Sequence, residues 1–147
     1  MSDVELITWD EANQLVPFLT ETVLRLKVLK NEIEAIAENC MSTGKDPESL
    51  FGDTPLEDDM MALRVRVNAL SDEVNDLIHE LESRGAVLKD IEKGLVDFRS
   101  QLGDRVVFLC WRFGEKEITH FHELNQGFSE RKSLMARETL ELLTRVH

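Results

Sequence analysis

PLEDDMMALRVRVNALSDEVNDLIHELESRG, residues 55 to 85, decides the architecture. Its apolar positions are Leu56, Met60, Leu63, Val67, Leu70, Val74, Leu77 and Leu81. They step by four and three without a slip, a heptad register kept over almost four repeats. Pro55 suits the first turn of a helix, where its missing N–H costs nothing, and Gly85 follows Arg84 where a left-handed cap closes one. At 1.5 Å rise per residue, a helix over 55–84 is a rod of about 45 Å. One apolar stripe on such a rod cannot bury itself, so the sequence has to supply a partner.

The partner lies upstream. Thr8 is followed three residues later by Glu11, a capping box that opens a short helix at about Trp9. Pro17 removes a helical hydrogen bond, which predicts a break there and a restart with Pro17 in the new first turn. From Val16 the apolar positions run Val16, Leu19, Val23, Leu26, Leu29, Ile33, Ile36 and Cys40, a second helical stripe ending near Met41. Residues 42–54 hold Gly44, Pro47 and Gly52 and read as a loop. The expectation over residues 8–84 is therefore a long antiparallel helical hairpin of coiled-coil type. Leu24, Val28, Met61, Val65 and Ile78 fall outside the two stripes and need cover. A second hairpin would cover them in a homodimer.

After Gly85 the period changes. Ala86 to Lys89 and Gly94 to Phe98 read as short extended pieces. Val106 to Phe113 is rich in β-branched and aromatic residues, Gly114 and Glu115 make a turn, and Lys116 to Leu124 returns. That predicts a small antiparallel β-hairpin module over 85–128, followed by a C-terminal helix over 133–146 carrying Leu134, Leu140 and Leu143. The fold class is α+β, read as a single domain over 1–147.

Composition narrows the function. A net charge of −12 opposes phosphate-backbone binding and docking on anionic lipid, which excludes nucleic acid and membrane as expected partners. No apolar run approaches the ~20 residues of a membrane span. The acidic start, Met1-Ser2-Asp3-Val4-Glu5, lacks the basic and apolar regions of a signal peptide. Cys40 and Cys110 stand far apart in no metal or redox spacing, which points to a reducing, cytoplasmic setting.

Chemistry concentrates at His120-Phe121-His122-Glu123. Residues two apart on a strand share a face, so the two imidazoles point one way and Glu123 the other. Two imidazoles at that spacing can chelate a divalent ion such as zinc, with Asp97 or Asp90 as the carboxylate ligand. The expected metal set is His122, His120 and Asp97. Cys110 joins that face if a three-residue turn pairs it with His120, and leaves it if a two-residue turn pairs it with Thr119. The plainer explanation of the histidines is a partly buried pair hydrogen-bonded to its neighbours. Arg112 and Arg131, with Trp111 and Glu123 beside them, form an alternative site for a small anionic ligand. Ion pairs with nearby glutamates explain the two arginines equally well. Cys110, between Leu109 and Trp111, reads as a core residue before it reads as a nucleophile. The acidic stretch from Asp46 to Asp59 lacks the ligand register of a calcium loop and reads as a solvated loop before a helix N-terminus.

Three segments resemble a known family. Thr8-Trp9-Asp10-Glu11-Ala12-Asn13-Gln14-Leu15-Val16-Pro17 is similar to the N-terminal signature of the bacterial family of domain of unknown function 2203. Gly94-Leu95-Val96-Asp97-Phe98 resembles its central motif. Leu109 to Glu115, His122-Glu123, Gly127-Phe128 and Arg131 resemble its C-terminal motif. The chain departs from that pattern at Ile7, Lys116, His120 and Phe121. The resemblance implies a fold and a set of polar positions, and no activity. The functional expectation is accordingly a non-catalytic interaction or scaffolding domain acting as a homo-oligomer, with a metal-binding domain, in its catalytic form a small hydrolase, as the alternative.

Overall fold

The structure, a computed structural model, describes residues 6–136. Its elements are α1 Trp9–Gln14, α2 Val16–Ser42, α3 Asp58–Ser83, β1 Ala86–Asp90, β2 Leu95–Leu102, β3 Arg105–Arg112, β4 His120–His122 and β5 Lys132–Ser133, with short 3-10 helices at Pro47–Phe51 and Phe128–Glu130. Two compact units divide the chain. One takes the described residues up to Val23 and from Glu80 onward, and the other is Leu24–His79.

In the first unit the capping box forms as the sequence predicts. The Glu11 amide donates to Thr8 Oγ1 at 3.0 Å, and the Thr8 amide donates to Glu11 Oε1 at 2.9 Å. Leu15 caps α1 and α2 restarts at Val16, with Pro17 in its first turn where no amide hydrogen is needed. The strands make one antiparallel sheet in the order β1-β2-β3-β4-β5. Register sorts its side chains into cross-strand rows. Phe98, Leu109 and Phe121 lie side by side and are fully buried, one row of the apolar face. The rows on either side, Asp97-Cys110-His120 and Arg99-Phe108-His122, point to the other face. Trp111, Val107 and Ser100 complete the buried apolar face. Trp9 donates its indole N–H to the Ile118 carbonyl, and Asn13 Oδ1 accepts the Ile118 amide at 2.6 Å. Two residues of the Thr8–Pro17 motif thus hold both backbone groups of one residue in the link between β3 and β4.

In the second unit the buried apolar residues of the two helices fall on the predicted stripes, whose other members Ile33, Ile36, Leu63, Val74 and Leu77 are half-buried. Leu26, Leu29 and Cys40 of α2 and Met60, Val67 and Leu70 of α3 are buried. Arg25 pairs with Glu73, and Arg66 with Glu32. As the α2 position rises the α3 position falls, so the two helices run antiparallel. Cys40, Leu50, Met60 and Val67 form a local core with Ile36, Leu56 and Leu63 around it. Arg64, buried at 6 % exposure, reaches into the loop and donates to the Thr54 and Ser49 carbonyls.

Several sequence expectations change. Residues 42–54 are not a plain loop, because Pro47–Phe51 wind into a 3-10 helix whose Leu50 plugs the core. The second long helix opens at Asp58, not Pro55. Its first carbonyl acceptor is Glu57, and Arg64 draws the Thr54 carbonyl to itself. The β module is a five-stranded sheet rather than one hairpin. An extra turn at Gly103-Asp104 joins β2 to β3, with Gly103 at φ +66° where two-residue hairpin turns favour glycine. The expected hairpin turn at Gly114-Glu115 is instead a link over 113–119, leaving β4 only three residues long. Residues 133–136 are not helical. Lys132–Ser133 pair with β4, and the Leu134 amide bonds to the Thr119 carbonyl at 2.8 Å, so they close the sheet edge instead. The remainder of that expected helix, from 137 onward, lies outside the described residues.

Candidate functional site

The polar face of the sheet carries the chemistry. Register places Asp97 on β2 opposite Cys110 on β3, and Cys110 opposite His120 on β4. That is the pairing which puts the cysteine on the histidine face. His122 stands two pairs along, opposite Phe108, and its ring tilts against the Phe108 ring at 5.4 Å between centroids. The side chain reaches Asp97, and Nε2 lies 3.0 Å from Oδ2. Asp97, Cys110 and His122 each offer one donor atom, and those three atoms lie within 4.8 Å of one another. All three residues are buried, at 3 %, 1 % and 2 % exposure.

The proton inventory follows from hydrogen-bond geometry. His122 Nδ1 is 2.9 Å from the Glu123 carbonyl, which only accepts, so Nδ1 carries a hydrogen. Nε2 then shares a single proton with the Asp97 carboxyl, whichever of the two atoms holds it. Burial pushes the Asp97 carboxyl above the ordinary carboxylate range, opposed by the His122 ring. Asp97 and Arg131 stand beside Cys110, and burial, followed by the Asp97 charge, pushes its thiol up to about 12. A thiol in that state is no nucleophile at neutral pH. Without an ion the group is therefore close to neutral: one shared proton, one thiol.

The remaining sequence candidates sort around this centre. His120 shares the face but lies outside the three-donor group, and its Nδ1 meets Thr119 Oγ1 at 2.9 Å. Burial and the nearby Arg131 charge lower its pKa. Arg131 forms two hydrogen bonds to Glu115 and stacks 4.2 Å from the Phe128 ring centroid. Arg112 stands 5.4 Å from the same centroid, so the two arginines flank one phenyl ring. Trp111 is turned to the buried face, where its indole N–H donates to the Glu115 carbonyl at 2.9 Å. Glu123 is in an ion pair with Arg105 at 3.1 Å. Arg112 and Arg131 are thus brought together, while Trp111 and Glu123 are engaged elsewhere. Asp90 caps the turn after β1, accepting the Lys93 amide at 2.9 Å, and is not part of the centre. Cys110 is the donor that the sequence-derived metal set left out, and its pairing with His120 was the signal that could have found it.

A cleft of about 160 Å³ opens beside the centre, lined by Lys89, Leu95, Asp97, Cys110, Gln126, Gly127 and Phe128. Gln126 is fixed by accepting the Glu123 amide, and Gly127 by donating to Glu130. A second cleft of about 320 Å³ lies on the apolar side, between Leu6–Trp9, Ser100–Leu102, Leu109 and Leu134.

Fold and site together define an α+β protein with a buried Asp–Cys–His group on the polar face of an antiparallel sheet. The chain belongs to the DUF2203 family, described as an uncharacterized conserved protein, whose family model matches residues 5–134. No curated protein and no solved structure matches it.

Proposed function

We propose that this protein binds a divalent metal ion, zinc in the first place, through Asp97, Cys110 and His122. The carrying observation is the convergence of three buried donors of different types within 4.8 Å. Carboxylate oxygen, thiolate sulfur and imidazole nitrogen are all zinc ligands. The hydrogen bond from His122 Nδ1 to the Glu123 carbonyl orients the ring as the outer-shell partners of metal-bound histidines do. Cys110 takes the place given to His120 in the sequence-derived set. Charge supports the reading: Asp97 carboxylate and Cys110 thiolate together balance a divalent cation.

Binding has to displace two protons, the one shared by His122 and Asp97 and the one on the thiol. Each displaced proton contributes a factor of about ten in affinity per pH unit. Zinc affinity measured by calorimetry is therefore expected to rise with pH near neutrality, at least about tenfold per unit from the thiol proton alone. Stoichiometric metal should be present in protein purified without a His tag, and zinc should raise the melting temperature of the parent and not of His122→Ala or Cys110→Ala. A parent protein that takes up no zinc, cobalt or nickel at micromolar concentration sinks the reading. Three protein donors leave a coordination position for water or substrate, so a small metal-dependent hydrolase is the catalytic form of this proposal.

A second reading is a homodimeric interaction or scaffolding domain, with α2 and α3 as a coiled-coil hairpin that meets its copy or a protein partner. What favours it is exposed apolar surface on these helices: Leu24 is 51 % exposed, Val28 40 %, Met61 38 % and Val65 65 %. A cytoplasmic setting fits both readings, since Cys40 and Cys110 are free thiols. Among the described residues no helix is long and apolar enough to cross a membrane.

A further inference from the structure

The chain has 29 acidic residues against 17 basic ones, yet cations gather around the cleft beside Asp97 and Cys110. Lys89 lines that cleft, with its ammonium 5.1 Å from the Phe108 ring centroid. Arg99 lies 5.2 Å from the same ring, on its strand neighbour. Arg112 and Arg131 flank Phe128, which forms a wall of the cleft. Among the described residues Lys89, Arg99 and Arg112 are in no ion pair with a carboxylate; they rest against aromatic rings, which hold a cation without neutralising it. The nearby acids are engaged: Glu115 by Arg131, Glu123 by Arg105, Glu130 by the Gly127 amide, and Asp97, the cleft carboxyl that feels the Lys89 charge, by His122. In a chain this acidic, a cationic rim around a small cleft selects for negative charge. The cleft volume of about 160 Å³ suits a small molecule and excludes a chain segment.

We infer that the cleft takes a small oxyanion, a carboxylate or phosphate group, held by Lys89 at its mouth and directed at the Asp97–Cys110–His122 centre. This rests on the metal reading for what the anion meets at the cleft floor, and gives that centre a substrate class: small anionic molecules. Lys89 itself is exposed, so replacing it leaves the fold intact.

The test uses cobalt(II), whose visible absorption changes when a ligand enters its coordination sphere. Cobalt-loaded parent and Lys89→Gln are titrated with sodium acetate and, separately, with sodium phosphate at constant ionic strength. A saturable spectral change in the parent, with its midpoint moved at least tenfold higher in Lys89→Gln, is the expected result; the stronger of the two anions identifies the headgroup. Cobalt that binds without responding to either anion overturns the inference and leaves the metal reading standing, as does a midpoint unchanged in Lys89→Gln. Failure to bind cobalt overturns the metal reading alone. In that case the same anions are titrated into metal-free protein while the amide resonances of Cys110 and Gly127 are followed. Saturable shifts lost in Lys89→Gln uphold the anion site, and their absence overturns it.

Discussion

Cys110 holds its proton far more tightly in the folded protein than in the unfolded chain, because burial and the Asp97 carboxyl raise its thiol from 9.0 to about 12. The sign of the linkage follows. A group whose folded pKa is raised contributes its full stability below the unfolded value and loses it as pH climbs toward the folded one. Between pH 9 and pH 10 that loss amounts to about 1 kcal/mol. Cys110→Ala removes it. Urea unfolding at pH 8, 9 and 10 should therefore show the parent losing stability faster than the variant. Profiles that fall in parallel would mean that the thiol is not desolvated. The residue scale is also where the sequence was least legible. Alternation along a strand put His120 and His122 on one face, as observed, but which of their neighbours carried a third donor atom depended on a cross-strand pairing that spacing left open.

Gly94 joins the turn after β1 to β2 in a conformation few other residues tolerate. Its φ is +68°, a Cβ there would stand 2.4 Å from Phe113 Cβ, and its carbonyl accepts the Phe113 amide at 2.8 Å. Gly94→Ala combines backbone strain with a contact that neither partner can relieve by rotating a side chain, and is expected to cost about 2–4 kcal/mol. Gly114 has φ +101° but open space around it, so Gly114→Ala should lose only the conformational part, about 1–2 kcal/mol. Equal losses in denaturant melts of the two variants would refute the close approach at Gly94. On α3, Leu70 is 4 % exposed in the middle of the heptad stripe. Leu70→Asp removes apolar burial and strands a charge, an expected loss of at least ~3 kcal/mol. An unchanged melting temperature would show that the stripe bears no core. Helices were the most legible elements, since their stripes, capping box and proline restart are written within a few residues. The turn at Gly103-Asp104 is less legible, because the glycine-led pair joins strands that are uneven in composition.

At the scale of the whole molecule the open question is what covers the exposed apolar groups of α2 and α3. If a second copy does, light scattering at micromolar concentration gives about twice the chain mass of 16.9 kDa, and Val65→Lys, at a position 65 % exposed, shifts the protein to monomer without unfolding it. A parent that is monomeric at that concentration rules out the dimer. The sequence by itself determined the α+β class, the two long helices with their buried stripes, the break at Pro17 and the shared face of His120 and His122. Those properties arise from interactions among residues a few positions apart, where period and capping chemistry suffice. Only the tertiary structure decided that Cys110 joins His122 and Asp97, that Lys132–Ser133 extend the sheet rather than open a helix, and that Lys89 and Phe128 meet at one cleft. Each of these depends on which strand pairs with which and in what register, and residues brought together from four separate stretches of chain leave no local pattern to read.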